Sequence, residues 1–154
     1  MDLRVPVVEK NITVLFCDGH KMEGNAFIPA SSPDHNGAMR IGEWLNTSDA
    51  YFPFLPHGSS SPIIIGKHNT ITVTAEHETE DNFDESKLSP KCRIRLELKD
   101  IGLEGALVMD MPENRLRVLD VLNYDHRFLF LIRNDHEVHV NKDFILRVIE
   151  VKDN

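Results

Sequence analysis

The residues best suited to chemistry in this chain are eight histidines and two cysteines. His136 and His139 are the closest histidine pair, but side chains three residues apart in a strand point to opposite faces and would not converge on one metal ion. His139 does share a face with Glu137, although two ligands from one strand fall short of a metal site. The sequence therefore predicts turn or surface histidines and no metal site.

Neither the serines nor the cysteines form a recognisable nucleophilic centre. Residues 58–62 read Gly-Ser-Ser-Ser-Pro, which predicts a flexible loop and not the Gly-x-Ser-x-Gly elbow that exposes a catalytic serine. Cys17 and Cys92 stand at the ends of predicted strands, without a neighbouring base or helix N-terminus to activate the thiol, so we expect buried, inert thiols. The sequence contains no phosphate-binding loop and no dinucleotide fingerprint. We therefore expect no enzyme activity and no cofactor.

The elements that must position these residues occur twice in the chain. Residues 40–46 align without gaps on residues 117–123, and both follow the pattern Arg, apolar, any residue, acid, apolar, Leu, Asn. Four further matches occur in the same order: 22–26 with 103–107, 52–55 with 128–131, 65–67 with 140–142, and 71–73 with 145–148. Five matches in one order predict a tandem duplication.

Two periodicities predict the elements of each copy. Polar and apolar residues alternate over residues 93–99, as in a half-buried strand, and similar patterns predict five strands per copy. Each repeated Arg-to-Asn block places apolar residues at i, i+3 and i+4, which predicts a short helix packed on the sheet. Arg40 with Glu43, and Arg117 with Asp120, are three residues apart and can pair along its outer face. The strands are expected at about 5–17, 22–29, 51–55, 62–66 and 70–75, and at about 91–99, 103–111, 127–132, 136–140 and 144–151.

Turn and glycine signals complete the expected fold. Gly24 and Gly105 lie inside strand patterns, which predicts a bulge or sharp bend of the kind that small barrels need. Asn134 and Asp135 predict a hairpin turn. Five short strands with one small helix favour a closed or nearly closed barrel. We therefore expect a mostly β protein, a tandem duplication of a small five-stranded SH3-like or Sm-like β-barrel unit, each unit with one short helix and the two related by a pseudo-twofold axis.

Charge and composition suggest how the chain is organised and where it works. We expect a first barrel-like repeat over residues 1–75, an acidic linker over 76–91 and a second repeat over 92–154. The linker holds half of the net charge of −8, and an acidic chain argues against nonspecific nucleic-acid binding, which needs cationic side chains. No apolar run is long enough to cross a membrane, no secretory signal opens the chain, and two cysteines form no disulfide framework. These features favour a cytoplasmic protein without a membrane partner.

The repeated motifs resemble an uncharacterised family of small bacterial β domains. Members of that family carry a glycine after the first hairpin, an Arg-Leu-x-Asp-Phe-Leu-Asn-like segment and a Phe-rich strand. The matching residues are Gly24, 40–46 and 52–55 in the first copy, and Gly105, 117–123 and 128–131 in the second. The resemblance covers most of both copies and implies a bacterial protein, but the family supplies no activity to transfer.

A weaker resemblance is to the PilZ family, which binds cyclic di-GMP on a β-barrel. Residues 100–108 look like its Asp-x-Ser-x-x-Gly strand, with Gly102 in place of the serine. The Arg-x-x-x-Arg segment that clamps the nucleotide phosphates is missing upstream, because Arg93 and Arg95 have a different spacing. The resemblance implies a cyclic dinucleotide or other small-ligand sensor in which Arg93, Arg95 and Asp100 meet in one pocket.

The function favoured by these observations is a non-enzymatic binding or scaffold module that acts through protein–protein contacts or self-association. Barrel edges and the aromatic strand with Tyr51, Phe52 and Phe54 are the candidate contact residues, although a place in the core is the favoured interpretation of these aromatics. The PilZ-like sensor is the second hypothesis. No nucleic-acid partner is expected.

Overall fold

The computed structural model describes residues 6–76, 90–109 and 117–152. Within these ranges the chain forms ten β-strands and two short α-helices, which confirms a mostly β protein. The chain divides into two compact units, Met1–Val73 and Thr74–Asn154. Most of the predicted acidic linker lies outside the described residues.

The first unit is built from antiparallel neighbours. Its strands follow the order β5-β1-β2-β3-β4, and the helix α1 and a 3₁₀ turn, Lys67–Asn69, lie in its connections. The bounds are β1 Val7–Phe16, β2 Lys21–Pro29, α1 Ile41–Leu45, β3 Tyr51–Pro56, β4 Ile63–Gly66 and β5 Thr70–Glu76, the last of which contains the division between the units.

The second unit repeats this element order. Its strands follow the order β10-β6-β7-β8-β9, and a 3₁₀ turn, Lys142–Phe144, again precedes the last strand. The bounds are β6 Lys91–Leu98, β7 Gly102–Val108, α2 Val118–Leu122, β8 Phe128–Arg133, β9 His136–Asn141 and β10 Ile145–Glu150.

The strands of neither unit close into a barrel, which corrects the prediction of a closed or nearly closed one. In the described residues β4 is not a hydrogen-bonded neighbour of β5, nor is β9 a neighbour of β10. Closure needs bulges or kinks that curve the sheet. The expected bulges are absent, because the β1–β2 and β6–β7 ladders run through Gly24 and Gly105 without a shift of register.

The two glycines serve close approach of the next strand. A Cβ atom at Gly24 would overlap the carbonyl oxygen of Leu55 on β3 and lie 2.7 Å from Cζ of Phe54. A Cβ atom at Gly105 would lie 3.0 Å from the carbonyl oxygen of Ile132 on β8. Both glycines therefore allow a neighbouring backbone to approach closely, which is the other role of a glycine inside a strand besides forming a bulge.

Alternate strand residues and one helix face form the core of unit 1. The buried side chains include Ile12, Val14, Ile28, Phe52 and Phe54, all at most 2% exposed. The predicted helix face is confirmed in α1, whose residues Ile41, Trp44 and Leu45 are buried. The Trp44 ring meets Phe52 edge to face, with centroids 4.7 Å apart. Burial of each such side chain contributes about 1.5–3 kcal/mol to folding, which a five-residue helix needs in order to form.

A lysine at the start of each 3₁₀ turn holds the C-terminal end of the preceding helix. Lys67 Nζ donates to the carbonyl oxygen and to Oγ1 of Thr47, both at 3.2 Å. Lys142 Nζ donates to the carbonyl oxygens of Leu122 at 2.9 Å and Tyr124 at 2.6 Å. Backbone carbonyls at a helix end have no partner within the helix, so these ammonium groups supply the missing donors.

The hairpin between β8 and β9 has the predicted turn. Asn134 and Asp135 have φ values of 51° and 62° and connect Arg133 to its partner His136. Two consecutive residues with positive φ are typical of a type I′ turn, which asparagine and aspartate tolerate. The predicted pair between Arg117 and Asp120 on α2 is also confirmed, at 3.1 Å between Nε and Oδ2.

Candidate interaction site

The pairing of β3 with β4 decides which side chains of unit 1 reach solvent. Tyr51 lies opposite Gly66, Phe52 opposite Ile65 and Pro53 opposite Ile64. Because successive side chains alternate between the two faces of a sheet, Tyr51, Pro53 and Ile64 share the outer face. Ile63 lies opposite Phe54 and so belongs to the other face, but it is exposed at the end of the strand pair. We call Tyr51, Pro53, Ile63 and Ile64 together the β4 patch.

The side chains of the β4 patch are apolar and accessible. Ile64 is 76% exposed, Tyr51 58% and Ile63 38%, and Pro53 is also exposed. No Asp, Glu, Lys or Arg occurs anywhere in residues 51–66. Single exposed apolar residues are ordinary, but Tyr51, Pro53 and Ile64 together form an uncharged group on one face of a strand pair, which is a usual mark of an interaction surface.

The backbone of β4 adds a second feature to this surface. In the described part of the chain β4 has one hydrogen-bonded neighbour, β3, so its other side is an open sheet edge. An open edge presents N–H and C=O groups to any extended chain, and proteins commonly guard such edges with charged residues. The sequence Ile-Ile-Ile-Gly contains no such guard.

Tyr51 is held in place although it is exposed. A Cβ atom on Gly66 would lie 3.2 Å from Cε1 of Tyr51 and 2.8 Å from Cε1 of His68, so both rings occupy the space left by the glycine. The two rings meet edge to face, with centroids 5.7 Å apart. A ring fixed by its neighbours loses little freedom when a partner binds, which favours its use as a contact residue.

The three aromatic residues predicted as contacts divide between the surface and the core. Tyr51 belongs to the β4 patch, but Phe52 is 2% and Phe54 0% exposed. Strand alternation turns both phenylalanines inward, and Phe52 also packs on Trp44. The prediction of Phe52 and Phe54 as contacts is therefore corrected to core positions. Sequence reasoning missed Ile63 and Ile64, which look like a buried strand when the position at the sheet edge is unknown.

The corresponding face of unit 2 is buried. In unit 2, Phe128 lies opposite Asn141 and Phe130 opposite His139. These pairs correspond to Tyr51 with Gly66 and Pro53 with Ile64 in unit 1. Yet Phe128 is 2%, His139 1% and Asn141 0% exposed, and Phe130 is half-buried. The same side of the same strand pair is thus bare in unit 1 and covered in unit 2.

The residues predicted to bind a nucleotide lie on and after β6. Arg93 and Arg95 share an exposed face of β6, and Asp100 lies in the turn towards β7. Arg93 Nε donates to Glu104 Oε1 at 3.0 Å, and the Arg95 guanidinium extends over Gly102, where a Cβ atom would be 3.0 Å from its terminal nitrogen. In the described residues no hydrogen bond or ion pair joins Asp100 to either arginine.

A cluster around Glu43 was not predicted from the sequence. Glu43 accepts hydrogen bonds from Ser32 Oγ at 2.7 Å and from the Arg40 backbone N–H at 3.1 Å, and it contacts His35 Nε2. The other His35 nitrogen faces the carbonyl oxygen of Asn36 at 2.9 Å. The cluster ties the 30–40 connection to α1.

Both ionisable side chains of this cluster have shifted pKa values. The hydrogen bond to the Asn36 carbonyl, followed by that to Glu43, raises the pKa of His35 above its ordinary value. Burial acts to raise the pKa of Glu43, but hydrogen bonds from Ser32, His35 and the Arg40 backbone outweigh it and leave this pKa below the ordinary value. Because Ser32 Oγ donates to the carboxylate and not to the imidazole, this is a structural ion pair and not an activated nucleophile.

His139, Cys17 and Cys92 are further candidate residues that the structure describes. His139 Nε2 lies 2.9 Å from Glu137 Oε1, whereas Nδ1 is buried without a hydrogen-bond partner in the described residues. Cys17 is exposed and Cys92 half-buried, which corrects the expectation of two buried thiols. Among residues 6–76, 90–109 and 117–152, no three His, Cys, Asp or Glu side chains are grouped as a metal site would need.

Comparison with known proteins gives no relative: no family model, no curated protein and no solved structure matches the chain. The helices of the described residues include none with the length and apolar character required to cross a bilayer.

Proposed function

We propose that this protein is a non-enzymatic binding module that recognises an extended segment of another polypeptide at the β4 patch. The observation that carries the proposal is the open, uncharged edge of β4, with Ile64 76% exposed beside it. A partner strand would hydrogen-bond with the β4 backbone, and its alternate side chains would contact Tyr51, Pro53 and Ile64.

We also propose that the two units arose by tandem duplication of one five-stranded element. Three features support this origin: the shared order of strands, helix and 3₁₀ turn, the paired lysines Lys67 and Lys142, and the paired glycines Gly24 and Gly105. Duplication supplies two scaffolds, of which one keeps its outer β3–β4 face bare for a partner. In this proposal the protein acts as a scaffold in the cytoplasm.

Selection of peptides on the immobilised protein tests the binding function. A displayed library of random peptides is enriched on the wild-type chain and counter-selected on Ile64→Lys, which places a charge on the patch. We expect selected peptides with alternating apolar residues, bound at least about tenfold more weakly by Ile64→Lys, since burying an unpaired charge exceeds the 1.4 kcal/mol that corresponds to tenfold.

Leu119→Lys is the matched control for this experiment. Leu119 is 58% exposed on α2, so the control adds the same charge at a similarly exposed apolar position in the other unit. It should bind the selected peptides as the wild type does. Peptides that bind all three proteins equally would refute recognition at the β4 patch.

A further inference from the structure

We propose that the strand received by β4 is β10 of a second copy of this chain, so that copies join head to tail. This inference rests on the proposed function and names its partner. β10 also has a single hydrogen-bonded neighbour in the described residues, since it pairs with β6 alone. Every chain thus carries one open edge at β4 and another at β10.

Both edges carry exposed apolar side chains, which can pack against each other. On β10, Leu146 is 64% and Ile149 45% exposed, and both are apolar like Ile63 and Ile64 of β4. Leu146 lies where the register between β10 and β6 shifts between Ile145 and Arg147. A bulge of this kind normally discourages pairing at an edge, but here it is the apolar Leu146 that reaches solvent.

Charge also favours these two edges over other parts of the surface. Two copies with a net charge of −8 repel each other, so association is favoured where few acidic residues face one another. β4 carries no charge, whereas β10 carries Arg147, whose Nε donates to Glu97 Oε2 at 2.7 Å, and one acid, the exposed Glu150. Pairing of β4 with β10 therefore brings no like charges into direct opposition.

The burial of this face in unit 2 indicates that the exposed face of unit 1 lacks a covering partner. Phe128, His139 and Asn141 occupy, in unit 2, the register positions of Tyr51, Ile64 and Gly66, and all three are buried. A strand of a second copy paired with β4 would lie directly beside Ile64 and reduce its exposure. A chain always meets its own copies, so no further partner is required for this cover.

The contact is expected to be weak and to strengthen with salt. A strand of four residues spans about 13 Å, and interfaces well below about 1,200 Å² belong to weak or transient complexes. Salt screens the repulsion between two acidic copies, so the apparent association constant should rise with ionic strength. Because the two contact surfaces differ, growth gives rings or open filaments and not a closed symmetric pair.

Two single variants and their mixture test the head-to-tail arrangement. Ile64→Lys blocks the β4 edge and Leu146→Lys blocks the β10 edge, and both side chains are exposed. In sedimentation velocity at rising protein concentration, each variant alone should stay monomeric, whereas an equimolar mixture should form dimers and stop there. The wild type and Leu119→Lys should associate beyond dimers.

The other outcomes separate this inference from the proposed function. Self-association of either blocked variant alone would overturn the head-to-tail pairing, because it would show a contact that uses one edge twice. A wild type that stays monomeric at all concentrations and salt levels would overturn the second copy as partner. Peptide selection on Ile64→Lys and the wild type then decides independently whether β4 binds a different polypeptide.

Discussion

Replacing Gly24 with alanine would force β2 and β3 apart. The added Cβ would overlap the carbonyl oxygen of Leu55 and approach Cζ of Phe54 to 2.7 Å. Neither atom can move cheaply, since the first belongs to the backbone and the second to a phenylalanine that is 0% exposed. The separation acts on the whole β2–β3 ladder, which consists of three residue pairs.

The expected loss of stability follows from opposing contributions. Overpacking in a filled interior costs about 1–3 kcal/mol. Weakened ladder hydrogen bonds add about 0.5–1.5 kcal/mol each, whereas the change from glycine to alanine in a strand recovers about 0.5–1 kcal/mol. The net loss for Gly24→Ala is about 3 kcal/mol, a large part of the roughly 5–15 kcal/mol typical of a folded domain.

Gly105→Ala is the matched control, and urea unfolding is the assay. A Cβ at Gly105 would lie 3.0 Å from the Ile132 carbonyl oxygen, so small movements relieve it and we expect a change within about 1 kcal/mol. Circular dichroism follows both units, and fluorescence of Trp44, the single tryptophan, follows unit 1. A wild-type midpoint for Gly24→Ala, or an equal loss for Gly105→Ala, would refute the close-approach argument.

Three further predictions concern individual side chains. Because the folded-state pKa of His35 is raised above 6.5, its stabilising contribution is fully present below pH 6.5 and is lost as the pH rises through the raised value. His35→Gln should therefore lower the urea midpoint more at pH 5.5 than at pH 8.5, and an equal loss at both would contradict the ion pair. Lys67→Met should lower the free energy of unfolding by about 1–3 kcal/mol in urea titrations. Lys142→Met should lower it less, because Lys67 is 2% exposed and water cannot replace its ammonium group as a hydrogen-bond donor. Equal losses would show that burial is not the reason. Isothermal titration with cyclic di-GMP should give no binding heat, because a carboxylate already occupies Arg93; micromolar binding that Arg95→Ala abolishes would instead support the PilZ-like sensor.

Local patterns were sufficient to predict the elements of this fold. The alternation over residues 93–99 predicted β6, the spacing of apolar residues around Trp44 predicted α1, and Asn134 with Asp135 predicted a two-residue turn. Each depends on residues close in sequence, whose side chains decide the preferred backbone conformation.

Register and sheet curvature could not be predicted in the same way. The sequence alignment matches Phe52 with Phe128, but the ladders place Phe52 opposite Ile65 and Leu129 opposite Val140, so the register equivalent of Phe52 is Leu129. A shift of one residue exchanges the two faces of a strand, and residue likeness alone does not reveal it. Barrel closure likewise depends on how all strands bend together and not on any one motif.

The candidate site was predicted only where an exposed position is evident from the residue type. Tyr51 was identified as an aromatic contact, but the exposure of Ile63 and Ile64 follows from the edge position of β4, which depends on the complete strand order. The contacts of Glu43 with Ser32 and His35 span eleven and eight residues across an irregular connection. No periodicity joins residues in such a connection, so sequence offered no signal for them.

Hydrogen–deuterium exchange of the β4 amides at low and at high protein concentration tests the central claim most directly. If β4 of one copy receives β10 of the next, the amides of Ile63–Gly66 and Ile145–Glu150 should become more protected at high concentration, while those of α2 do not change. In Ile64→Lys the protection should be independent of concentration. Equal exchange of the β4 amides at both concentrations in the wild type would contradict pairing between copies at this edge.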